Sequence, residues 1–125
     1  MAKWAHADTL DGGPSYIKTY CDKVIVCSTQ PTTYAEATST YALADVTVDT
    51  NDFTLAAYST TGRMCTFAAQ SDVTVDASGT AAHLAFVDVS ETKLLYVTTV
   101  TSQVLTAGNT VDIPETDLFQ ISQPS

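Results

Sequence analysis

Apolar and polar positions alternate with a period of two along much of this chain. In Asp45-Val46-Thr47-Val48-Asp49 both valines share one face and Thr47 takes the other, the signature of a half-buried strand. Phe53, Leu55 and Ala57 carry the period on, and residues 63–69 can fold back on residues 53–58 across Ser59-Thr60-Thr61-Gly62. That arrangement reads as a hairpin. Lys23-Val24-Ile25-Val26-Cys27 is a short apolar run closed by Ser28, Thr29, Gln30 and Pro31. The strongest pair is residues 82–89 with residues 93–100, joined by Ser90-Glu91-Thr92 and apolar on both faces. Such strands belong at the centre of a layered fold or beneath a neighbour.

Shorter segments complete the pattern. Val73 and Val75 make one strand, and Val104-Leu105 and Val111-Asp112-Ile113 flank the turn Ala107-Gly108-Asn109. Leu118, Phe119 and Ile121 offer a last strand or a docked tail, and the polar residues 32–40 read as a loop holding a weak strand. Asp11-Gly12-Gly13-Pro14 is a break, after which Pro14 can open one or two helical turns through Ile17, Lys18 and Tyr20. About eight short strands separated by turn signals predict an all-β fold, a single-domain antiparallel β-sandwich or small barrel. Residues 1–15 form an extended N-terminal arm in this reading, residues 16–125 the β domain, with at most one short helix.

Composition supports the strands. Of 125 residues, 22 are Thr and 10 are Ser, while His occurs twice. Threonine is β-branched and suits a pleated surface, and it wets a strand face without charge. Charged residues make up 15 % of the chain, with 14 acids against 5 bases and a net charge of −9. That balance repels phosphate backbones and anionic membrane surfaces, so neither nucleic acid nor membrane is an expected partner. No apolar run approaches the ~20 residues of a membrane span, and the first residues lack the apolar core of a secretory signal.

Catalysis has little to stand on. Cys21 and Cys27, if joined by extended chain, lie roughly 20 Å apart, too far for a disulfide, which needs Cα atoms about 4.4–6.8 Å apart. With Cys65 they read as reduced, buried, small apolar side chains. His6 and Asp8 stand two residues apart without a third ligand, which suits an exposed or partner-facing arm better than a metal site. His83 reads as a hydrogen-bonded histidine at a sheet end. Asp49-Thr50-Asn51-Asp52 opens like a calcium loop, but Phe53 and Thr60 occupy positions that such a loop needs for ligands. A tight turn is the expectation there. No nucleophile elbow or phosphate-cradling glycine run occurs, and no cofactor or metal is expected.

Trp4 is the odd residue. Its ring must be buried somewhere, because removing it from water is worth a few kcal/mol. Either the arm folds onto its own sheet, or Trp4, Leu10 and Tyr16 anchor it on another subunit or protein. Leu118 and Phe119 pose the same choice at the other end.

Three segments together resemble small virion structural proteins of tailed bacteriophages, encoded among head genes. They are the opening Met1-Ala-Lys-Trp-Ala-His-Ala-Asp-Thr-Leu-Asp-Gly-Gly, the pair Ala-Ala-His-Leu-Ala-Phe-Val-Asp (81–88) and Lys-Leu-Leu-Tyr-Val-Thr-Thr (93–99), and Ala-Gly-Asn-Thr-Val-Asp-Ile-Pro (107–114). Residues 29–45 match least. The resemblance implies a head decoration (cement) protein that binds the outside of the shell, bridges neighbouring major capsid protein subunits and acts as a homo-oligomer, dimer or trimer. It implies a place on the virion surface after assembly in the host cytoplasm. The competing expectation is a tail or head-fibre component that binds a host-surface glycan through Tyr34, Tyr41 and Tyr58.

Overall fold

A computed structural model describes residues 12–58 and 62–121, apart from the side chains of Tyr58, Gly62 and residues 119–121. It opens on the helix α1 (Gly12–Tyr20) and continues with β1 (Lys23–Cys27), a π turn (Glu36–Thr40), β2 (Ala42–Thr47) and a 3-10 turn (Thr50–Asp52). There follow β3 (Phe53–Tyr58), β4 (Gly62–Phe67), β5 (Gln70–Thr74), β6 (Gly79–Asp88), β7 (Lys93–Leu105), β8 (Thr110–Ile113) and β9 (Thr116–Ile121). The nine strands form three antiparallel sheets, ordered β2-β1-β6-β7, β3-β4-β9 and β5-β8. The fold is all-β, as the alternation predicts, and no barrel closes among the described residues.

β1 shows how sequence becomes position. Its Val24, Ile25, Val26 and Cys27 are all buried, so both faces are covered and the strand must lie inside the sheet, between β2 and β6. One face of that sheet meets the main core and the other a smaller one. Phe86 of β6 reaches the first, where its ring stands edge-on to Phe67 of β4 at 5.2 Å and lies 6.2 Å from Phe53 of β3. These three rings join the four-stranded and three-stranded sheets. Gly79, which starts β6, permits a close approach: a Cβ there would stand 2.9 Å from a Leu43 methyl group.

Turns behave as their residues dictate. Asp49 and Asp52 form a capping box: Asp49 Oδ1 accepts from the Asn51 amide at 2.8 Å, and Asp52 Oδ2 accepts from the Asp49 amide at 2.9 Å. Both carboxylates serve backbone donors, so the calcium-like motif is a tight turn. Buried Asp88 likewise accepts from the Ser90 hydroxyl and the Glu91 amide to close the β6–β7 turn.

Two segments differ from expectation. Residues 34–40 are helical rather than a weak strand. Glu36 explains it: its carboxylate accepts from the Thr32 amide and hydroxyl at 2.9 and 2.8 Å, while Thr33 Oγ1 accepts from the Glu36 amide. Local side-chain bonds of this kind outcompete strand pairing. β7 runs to Leu105, five residues past the expected end, because β6 begins early enough for Gly79 to pair with Leu105. β8, whose partner the sequence left open, pairs with β5. The tail alternative resolves as a strand, since β9 pairs with β4.

Candidate contact surfaces

α1 is amphipathic in the simplest way. Pro14 and Ile17 face inward, whereas Tyr16 and Tyr20, one turn apart, face outward and are 41 % and 49 % exposed. Their rings lie 4.6 Å apart, tilted by 43°. The helix is tied to the body. Lys18 Nζ donates to the carbonyl oxygens of Thr50 at 2.9 Å and Phe53 at 2.6 Å, and the Thr50 hydroxyl donates back to the Lys18 carbonyl at 3.1 Å. The paired tyrosines therefore stand on a fixed ledge, which lowers the ordering cost of a contact made through them.

A shallow groove of about 580 Å³ runs beside the ledge, between Tyr16 and Ile17, the turn at Thr33 and Tyr34, and Lys93 and Leu94 of β7. Completing the burial of two half-open tyrosine rings is worth on the order of 2 kcal/mol. A second groove of about 510 Å³ lies between Thr99, Thr101 and Gln103 of β7 and the β8–β9 connection at Pro114, floored by Val26 and Leu84. β7 is the last strand of its sheet, and Val104 near its end is 78 % exposed.

The chain matches no family model, no curated protein and no solved structure.

Of the residues singled out from sequence for partner contact, Tyr16 stands on the exposed ledge. Trp4 and Leu10 lie outside the described residues, as does His6. Leu118 is buried at 6 % exposure in the main core, and its carbonyl accepts from the Tyr96 hydroxyl. Its side chain serves the chain's own packing. Phe119 pairs with Cys65 in the β4–β9 ladder, and its side chain lies outside the description. Sequence reasoning passed over Tyr20, although its spacing of four from Tyr16 was a readable helical pair. It also passed over the uncharged edge of β7.

The candidate reactive groups are muted. Burial pushes the thiol of Cys21 up to about 12 and that of Cys27 up to about 11. At neutral pH their thiolate fraction is then on the order of one in ten thousand or less, too little for a nucleophile. Cys27 Sγ rests 3.6 Å from the Ala37 carbonyl oxygen, so it is a packing residue under the helical turn. Hydrogen bonds from Thr32 hold the Glu36 carboxyl below its ordinary range. Burial raises the Tyr96 hydroxyl above its own.

His83 corrects one expectation. It sits within β6, between Cys27 and Thr99 in the ladders, and its Nδ1 is buried without a hydrogen-bond partner among the described residues. No group of three His, Cys, Asp or Glu residues converges to hold a metal among the described residues.

Proposed function

We propose that this protein is a bacteriophage capsid decoration protein that adheres to the outer surface of the head and bridges neighbouring major capsid protein subunits. The observation that carries the reading is the Tyr16–Tyr20 ledge, an exposed aromatic pair on a helix locked in place by Lys18. It continues directly from the segment that holds Trp4 and Leu10 and that resembles the opening of phage virion proteins. Paired tyrosines are effective anchors because they carry large apolar area with few torsions to freeze. Small contacts of this kind suffice when a symmetric shell repeats them.

Two further features favour adhesion over chemistry. The thiols of Cys21 and Cys27 are buried and held protonated, and the carboxylates of Asp49, Asp52 and Asp88 serve as backbone caps. The net charge of −9 also suits a molecule that must not cluster with copies on other particles. The glycan-binding reading draws no such support from Tyr34 and Tyr41, which are partly buried against the smaller core around Ala37, and the side chain of Tyr58 lies outside the described residues.

Labelled protein mixed with phage heads and imaged tests this reading. Copies distributed over the whole shell support it, and labelling confined to one vertex or to the tail contradicts it.

A further inference from the structure

We infer that β7 is the surface through which two copies of this chain join, edge to edge and antiparallel, continuing the four-stranded sheet from one molecule into the other. The inference does not depend on what the tyrosine ledge binds. An edge strand presents unpaired backbone donors and acceptors to any strand that arrives, and folded proteins blunt such edges with charge, proline, shortness or a cover. β7 has thirteen residues and no proline, and its single charge, Lys93, stands at its first position. From residue 94 to residue 111 there is no charged side chain at all, in a chain with 14 acids.

The other edges are treated differently. β2, at the opposite end of the sheet, is covered: Ala44 bridges to Val75, and the Asp76 and Ala77 amides donate to the Leu43 carbonyl. β3 is met at its start by the Lys18 ammonium on the Phe53 carbonyl. β5, β8 and β9 carry Asp72, Asp112 and Asp117. Among the described residues, only β7 is long and free of charge beyond its first position.

Charge then selects the occupant. Two molecules of net charge −9 repel across most of their surfaces, and like charges facing each other across a ladder are destabilising. Along β7 two copies meet without setting carboxylate against carboxylate. A two-fold axis makes such a contact self-complementary and closes it at a dimer.

The strand's shape sets the pairing zone. Register shifts interrupt the β6–β7 ladder on either side of Tyr96–Thr99, which pair regularly with Phe86, Ala85, Leu84 and His83. That regular stretch is the ladder a second copy extends. Past it the ladder register shifts, and Thr101, Ser102 and Val104 are exposed, with Thr101 at the groove over Val26 and Leu84.

Sedimentation equilibrium of the full chain and of the T99E/T101E double variant tests the pairing, since both positions are exposed and neither side chain belongs to the core. The wild type is expected at twice the mass of one chain. The variant, with four added carboxylates across the two-fold axis, is expected to self-associate at least about tenfold more weakly with an unchanged circular dichroism spectrum. Amide exchange in the wild type should slow with rising protein concentration at residues 96–99. A wild type that stays monomeric or forms trimers overturns the proposal. So does a dimer that survives the double variant, or one that instead dissociates in the Y16A/Y20A variant.

Discussion

The ammonium of Lys18 lies 2.6 Å from the carbonyl oxygen of Phe53, joining the last turn of α1 to the first residue of β3. A charge-assisted bond to a backbone acceptor is stronger than a neutral one, and Lys18 makes a second to Thr50. Replacing Lys18 by Met keeps the aliphatic stem and deletes both bonds. The variant should lose about 1–2 kcal/mol in urea unfolding, with faster amide exchange in α1 than in β1 or β6. Equal acceleration everywhere would mean that Lys18 does not hold the helix specifically.

Phe86 is the ring that both large sheets share, in contact range of Phe53, Phe67 and Tyr96. Truncation to Ala leaves a cavity at the junction and should cost about 3–5 kcal/mol, a large part of the stability of a small domain. Val104→Ala, at an exposed site, should stay within about 0.5 kcal/mol when measured on the monomer. Similar losses at the two sites would contradict the assigned core.

Alkaline pH should unfold the protein early. The folded state raises the Cys21 thiol to about 12 and the Cys27 thiol to about 11, whereas an unfolded thiol ionises near its ordinary value of about 8.5. Above that value the unfolded chain has released a proton that the folded chain keeps, so stability falls as pH rises. The full contribution is present below about pH 8.5 and is lost through the window up to the folded values, by at most about 1.4 kcal/mol per pH unit for each thiol. Urea titrations across this window should show the decline, and C21V/C27V should flatten it. An unchanged slope in that variant would assign the decline to other groups.

The proposed contact role of the N-terminal residues predicts an effect on attachment rather than on folding. A chain lacking residues 1–13 keeps Pro14, Ile17 and Lys18, so it should stay folded and lose shell binding. Trp4→Ala should weaken attachment with little change in calorimetric melting. If the truncated chain unfolds, Trp4 belongs to the protein's own core. If it binds undiminished, the arm is not a contact element.

Alternation located β3 with its hairpin partner β4, and continuous apolar runs located β1 and the β6–β7 pair, because apolar spacing records whether one face or both are buried. Residues 34–40 escaped because their helical turn rests on Thr33 and Glu36, three residues apart. That capping pattern is present in the sequence and hidden among residues with strand propensity. The partner of β8 was not legible, since nothing local in Thr110–Ile113 distinguishes β7 from β5 as its neighbour. Leu118 illustrates a deeper limit. An apolar residue near a terminus suits a core and an interface equally well, and only the β4–β9 register decides for the core.

Adhesion through the ledge is the central claim, and one co-sedimentation experiment addresses it. Purified heads are mixed with the wild type and with Y16A/Y20A, whose melting should match because both rings are half open and pack chiefly on each other. The account predicts that the wild type pellets with heads and the variant stays in the supernatant. Equal pelleting of the two proteins, or a wild type that never pellets, would contradict it.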